Sequence, residues 1–271
     1  MNAFHIQRWL TAFIAVPSLF LLIYFGNEAV FSFLIALVIF FAAWEYEKII
    51  HGSEPLKRRW EFFCIVLVIP LMTHYGGLEH LYAVLSLLII CLILCDLFRI
   101  RNRKEGPDIS LLTKYLFGIW YIPVFISYFI LIRRFENGVL WIFFILILAF
   151  SGDVAAFYSG KFLGKTKLMP SVSPNKTVAG VIGLVAGSMA ACLVFACLFM
   201  PNLWLPHVLA MSFLGGVTGQ LGDLFESEIK RTGGVKDSGT ALPGHGGILD
   251  RMDCLLFIAP VIYYYKTYII N

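Results

Sequence analysis

The chain is expected to be an all-α polytopic membrane protein of about nine transmembrane helices, with a cytoplasmic N-terminus. Three observations carry that expectation. Of its 271 residues, 59% are apolar and only 14% are charged, with a mean hydropathy of +0.82; soluble domains carry roughly 25% charged residues. Nine runs approach the ~20 mostly apolar residues that a spanning helix needs. Of the 21 Lys and Arg residues, 18 fall at one set of span ends and 3 at the other, the asymmetry that marks a cytoplasmic side.

The nine runs lie near 9–26, 28–47, 60–76, 79–98, 111–132, 138–160, 178–200, 205–229 and 247–268. They are uniformly apolar, whereas a barrel would show strands of about 10 residues with alternating polarity. The first run has one basic residue ahead of it, Arg8, and no small-x-small cleavage site at its end, so it reads as a retained helix. The basic ends hold Arg8, Lys48, Lys57–Arg59, Arg99–Lys104, Lys114, Lys161–Lys176 and Lys230–Arg251; the opposite ends hold only Arg133, Arg134 and Lys266. This basic face is assigned to orientation and to anionic lipid rather than to nucleic acid. All six cysteines lie within apolar spans, which implies packing and no disulfide framework.

The sequence divides into two regions. Residues 1–150 form a transmembrane scaffold of about five spans. Their few acids, Glu45, Glu47 and Asp96, fall near cytoplasmic ends. Interfacial solvation, or pairing of Asp96 with Arg99 and Arg101, accounts for them there. Residues 151–271 form the catalytic transmembrane region, with its site facing the cytoplasm.

Three polar elements interrupt the second region. The first begins at Asp153, followed by Ala156, Gly160 and Gly164, a small-residue stripe that admits a close helix. The second, residues 168–177, reads as a loop broken by two prolines and ending in Ser173, Asn175, Lys176 and Thr177. Hydroxyls and a Lys at a helix start suit phosphate, although Ser, Thr and Asn are also ordinary caps.

The third element runs from the span containing Gly215, Gly219 and Gly222 through Asp223 to Asp253. Between Ser227 and Asp253, four cations, four acids and a His stand among glycines. Asp223, Ser227 and Lys230 share a helix face, and Asp250 and Asp253 are spaced i,i+3. Such carboxylates repel unless a cation sits between them. A divalent cation such as Mg2+, held by a few carboxylates and completed by substrate phosphates, resolves that repulsion. The surrounding bases Lys176, Lys230, Arg231, Lys236 and Arg251 would face a polyanion. Acids for metal, bases for phosphate and glycines for close approach describe phosphoryl or nucleotidyl transfer. His245 lacks a Cys or His at ligand spacing, which argues against zinc. No hydrolase elbow, P-loop or Rossmann motif occurs.

The run S-x-I-K-R-x4-K-D-x-G-x2-L-P-x-H-G-G-I-x-D-R-M-D, from Ser227 to Asp253, is similar to the signature of the phosphatidate cytidylyltransferase (CDP-diacylglycerol synthase) family. The resemblance extends to Gly222-Asp223, to Ser173 through Thr177, and to Asp153 with Gly160 and Gly164. It implies Mg2+-dependent transfer from CTP to phosphatidate, giving CDP-diacylglycerol and pyrophosphate. It further implies a multi-span fold, often a homodimer, in a membrane. The absence of organelle signals favours the bacterial inner membrane.

By that resemblance Asp223, Asp250 and Asp253 hold the metal. Lys230, Arg231, Lys236 and Asp237 join them in catalysis. Asp153, Ser173, Asn175, Lys176, Thr177, Ser227, His245, Gly246, Gly247 and Arg251 contact substrate. The chain departs from the family pattern upstream, where Val154 and Phe157 replace hydroxyl residues, and Val178 and Ala179 replace an aromatic and a Glu. A divergent member using another phospholipid acid therefore stands as an alternative. A cation or lipid transporter using the Asp cluster is the alternative from another class, but it expects acids at the midplane and dispersed bases.

Overall fold

The structure, a computed structural model, describes residues 13, 16–51, 59–100, 109–241 and 246–270. It is an integral-membrane helical bundle. After a short apolar helix α1 (Val16–Phe25) come α2 (Glu28–His51), α3 (Arg59–Ile100), α4 (Ile109–Ile119) and α5 (Phe125–Arg133). Then follow α6 (Gly138–Leu163), strands β1 (Lys167–Met169) and β2 (Ser173–Thr177), α7 (Val178–Phe199), α8 (Leu205–Thr232) and α9 (Leu249–Tyr265). Seven helical stretches among the described residues are long and apolar enough to cross a bilayer. They include α4 and α5 joined through a π-helical segment, Trp120–Val124, that accommodates Pro123.

The 42 residues of α3 would span about 63 Å at 1.5 Å per residue, twice the ~30 Å hydrocarbon core. They do not run straight: the chain reverses at Gly77, whose φ of 69° and ψ of −153° suit a residue without a Cβ. At that end Ser32 bonds His74, Arg133 donates to the Gly26 carbonyl, and Arg134 donates to the His74 carbonyl. Five residues past the break, Tyr82 meets Tyr128, five residues before Arg133, so the chain is already heading back into the bundle. Leu81, Leu85 and Leu92 of this returning half are buried. The break falls between the two sequence-predicted runs 60–76 and 79–98.

At the opposite end, the start of α3 packs on the end of α2 through Phe62–Tyr46 and Phe63–Trp44 ring contacts. The core between the ends is filled by Ile39, Ile69, Ile122, Ile126, Phe144, Leu256 and Ile262, all nearly inaccessible. Both small-residue stripes place helices closely. Gly180 on α7 lies against the Ala156 carbonyl and Gly160 of α6. A Cβ at Gly222 on α8 would come within 2.6 Å of the Asp253 carbonyl on α9.

One local expectation fails. Residues 167–177 form an antiparallel hairpin, Lys167 opposite Thr177 and Met169 opposite Ser173, rather than an unpaired loop. Its two prolines do not oppose pairing. Pro170 lies in the turn and Pro174 in an edge strand of a two-stranded sheet, the kind of strand in which Pro is tolerated.

Candidate active site

The end of the bundle shared by the C-terminal portions of α2, α6 and α8 and the N-terminal portions of α7 and α9 gathers the polar groups in two adjoining clusters. The first contains Asp153 of α6, Asp223 of α8 and Asp253 of α9, close enough to act electrostatically on one another. Lys176, near the end of strand β2, makes an ion pair with Asp223. Arg251 lies within electrostatic reach of Asp153. Asp153, Gln220, Asp223 and Cys254 line a narrow cleft whose floor is Gly215, Gly216 and Gly219. Asp253 Oδ1 accepts the Cys254 backbone N–H at 2.7 Å.

The second cluster is closed and lies nearer the ends of α8 and α9. Lys230 Nζ sits 2.5 Å from Glu226 Oε2 and 2.7 Å from Asp250 Oδ1, with only 12% of its side chain exposed. Asp250 also accepts the backbone N–H groups of Gly247 at 2.9 Å and of Ser238 at 3.0 Å. Glu45 of α2, 3% exposed, accepts the Ser238 hydroxyl at 2.8 Å and the backbone N–H groups of Ile248 and Leu249 at 3.0 and 2.9 Å. Ser238 Oγ in turn accepts the Asp250 N–H at 3.2 Å. A carboxylate accepting helix-start N–H groups is favoured both by charge-assisted bonding and by the helix dipole. Since α9 has no side-chain cap of its own, Glu45 supplies one from another helix. Gly246, at φ +84°, turns the chain into this knot. Gly247 leaves no room for a Cβ, which would overlap Ser238 Oγ and the Glu45 carboxylate.

The geometry sorts the sequence-predicted residues. Asp153, Asp223, Asp253, Lys176 and Arg251 converge. Of the expected three-acid set of Asp223, Asp250 and Asp253, Asp250 is engaged with Lys230 in this structure. The i,i+3 pair splits between the two clusters because the Ser238 and Gly247 amides and Lys230 satisfy Asp250 alone. Arg231 donates to the Val172 carbonyl at 3.3 Å and the Val235 carbonyl at 3.0 Å, tying α8 to the hairpin. Thr177 caps α7, its Oγ1 accepting the Gly180 N–H at 3.1 Å. Ser227 is buried, Ser173 half-buried, and Asn175, Lys236 and Asp237 are exposed. His245, Arg101 and the side chains of Asp96 and Arg99 lie outside the described residues.

Glu45, Glu226 and Ser238 escaped the sequence reading. Glu45 is not solvated at an interface, as its position at a span end suggests, because the loop before α9 folds over it. Two signals were available: an acid inside an apolar run is a site hypothesis by default, and Glu226 stands i,i+4 from Lys230.

The donor set is all carboxylate. Among the described residues no three acidic, His or Cys side chains form a ready metal cage. Mg2+, however, is commonly held by one or two carboxylates plus substrate phosphates. Asp223 and Asp253, with Asp153 beside them, fit that requirement.

The cytidylyltransferase family model matches residues 6–269. A phosphatidate cytidylyltransferase of Bacillus subtilis (strain 168) is 40% identical over 185 residues, 66% of this chain and 66% of that protein. The uncharacterized protein YnbB of Escherichia coli (strain K12) is 46% identical over 133 residues, 49% of this chain and 44% of its own length. A phosphatidate cytidylyltransferase of Staphylococcus aureus (strain COL) is 34% identical over 200 residues, 73% of this chain and 74% of that protein. The match thus spans between about half and two thirds of the first two relatives.

Proposed function

Since this chain belongs to the cytidylyltransferase family, we propose that it transfers the cytidylyl group of CTP to phosphatidate, giving CDP-diacylglycerol and pyrophosphate. The observation that carries the proposal is the convergence of Asp153, Asp223, Asp253 and Lys176 from four separate elements at one end of the bundle. The charge asymmetry of the sequence supports placing that end in the cytoplasm, with nine crossings, a cytoplasmic N-terminus and an inner-membrane location. Residues 1–150 serve as scaffold and 151–271 carry the chemistry; a homodimer is the state the family resemblance favours.

In the proposed reaction a phosphate oxygen of phosphatidate forms a bond to the α-phosphorus of CTP. The bond from that phosphorus to the bridging oxygen breaks, and its electron pair leaves with pyrophosphate. A phosphomonoester with a second pKa near 6 is mostly dianionic at neutral pH, so no strong base is needed. The obstacle is repulsion: two unit charges 4 Å apart cost about 4 kcal/mol at an effective dielectric of about 20. Mg2+, held by Asp223 and Asp253 with Asp153 beside them, would supply charge neutralisation and alignment of the phosphates. Lys176 is poised to exchange Asp223 for a substrate phosphate. Arg251, within electrostatic reach of Asp153, offers a second cation. Lys230 and Asp250 fix the loop that carries Gly246 and Gly247, with Lys236 exposed above.

A second reading is a member acting on another phosphate-bearing lipid. It draws on Val154 and Phe157, which leave the Asp153 turn of α6 apolar and exposed. Turnover of CTP and Mg2+ against phosphatidate and against a total lipid extract, with products identified by mass, tests both. CDP-diacylglycerol supports the first reading. A cytidylylated product only from the extract supports the second.

A further inference from the structure

We infer that Glu45, on a helix of the N-terminal scaffold, is a positioning residue for the catalytic carboxylate Asp253. The inference rests on the cytidylyltransferase reading of the site. Glu45 grips α9 by its first two amides and grips the preceding loop by the Ser238 hydroxyl. Asp253 lies one turn further along α9. The rotation and depth of α9 against α8 decide whether Asp253 stands beside Asp223, and tolerance is small because Gly222 packs directly on the Asp253 carbonyl.

Other contacts leave this task to Glu45. Asp250 binds Ser238 and Gly247 within the same loop and Lys230 on α8. It therefore ties the loop to α8 but does not cap the Ile248 and Leu249 amides. Among the described residues, Glu45 is the side-chain partner of that helix start that comes from the first half of the chain. Its site is built to receive a carboxylate closely: side chains at Gly239 and Gly247 would both run into it. The buried Glu45 carboxylate thus transmits the position of the scaffold to the reacting end of α9.

The test uses the full chain in detergent micelles with two readouts. The first is hydrogen exchange of peptides covering 236–250 and the start of α9. In Glu45→Gln the Ile248 and Leu249 amides should exchange about tenfold faster, the loss expected for one buried hydrogen-bond partner, while α7 is unchanged. The second is initial rate against Mg2+ concentration with CTP and phosphatidate. Loss of an outer partner typically weakens metal binding or activity about 10- to 100-fold. The half-saturating Mg2+ should therefore rise by about that factor, with partial recovery of rate at high Mg2+, which a purely structural defect would not give. Ser238→Ala, which removes both the hydroxyl donor to Glu45 and the acceptor of the Asp250 amide and leaves Glu45 in place, should shift both readouts in the same direction and serves if Glu45→Gln does not fold. Wild-type exchange at Ile248 and Leu249 together with an unmoved Mg2+ titration would overturn the inference. If the wild-type protein makes no cytidylylated lipid, the functional reading fails. Exchange then decides on its own: acceleration upholds the clamp on α9, and no change refutes it.

Discussion

Replacing Lys230 with Met removes the one cation between two buried acids. Glu226 is fully inaccessible, the Asp250 side chain is 11% exposed, and the amine lies 2.5 and 2.7 Å from their oxygens. At an effective dielectric of about 20, each contact carries roughly 6 kcal/mol of attraction before desolvation is counted. Desolvation of three groups cancels much of that, but deleting one partner of a buried pair costs about 3–5 kcal/mol because the remaining charge is stranded. Lys230→Met strands Glu226 and leaves Asp250 held only by the Ser238 and Gly247 amides. The expected outcome is a loss of at least that size, read as a lowered midpoint of thermal unfolding in detergent. Adding Glu226→Leu should restore much of the loss, since one stranded carboxylate is then replaced by an apolar side chain, and the coupling appears directly in the double-mutant cycle. If Lys230→Met melts like the wild type and only raises the KM for CTP, Lys230 is a phosphate contact, as its place in the sequence motif suggests, and the buried triad is not what holds this end together.

Further predictions concern the open cluster and the knot. Asp253→Asn and Asp223→Asn should each lower turnover by about two orders of magnitude or more in folded protein, the loss of a metal-holding charge; near-wild-type rates would remove these residues from the site. Lys176→Ala should raise the KM for CTP about tenfold or more, a charge-assisted hydrogen bond being worth roughly 1.5–3 kcal/mol. An unchanged KM would leave Lys176 as a partner of Asp223 only. Gly247→Ala places a methyl group against Ser238 and Glu45 and should destabilise the protein by about 1–3 kcal/mol, measured by the same thermal assay.

Length and apolarity were enough to place several of the long helices in the sequence, while the described residues hold seven candidate spans rather than nine. The runs 138–160, 178–200 and 205–229 each coincide with one helix, and the pause between 76 and 79 coincides with the reversal at Gly77. The hairpin 167–177 was not legible, because its strands are three and five residues long, too short for a period to emerge. At the site, residue type picked out side chains that the fold brings together: Asp153, Asp223, Asp253 and Lys176 stand near one another. What spacing could not resolve was partnership. Asp250 and Asp253 share a helix face, yet backbone amides from residues 238 and 247 claim one of them. Glu45 is separated from Leu249 by 204 positions, so no local pattern could join them; only the return of the loop over α2 does so.

The most direct test of the account is purified protein in detergent with CTP, phosphatidate and Mg2+, following pyrophosphate release and the lipid product by mass. The account predicts CDP-diacylglycerol in step with pyrophosphate, abolished by EDTA and restored by added Mg2+. Folded protein that neither binds CTP nor forms a cytidylylated lipid would contradict it.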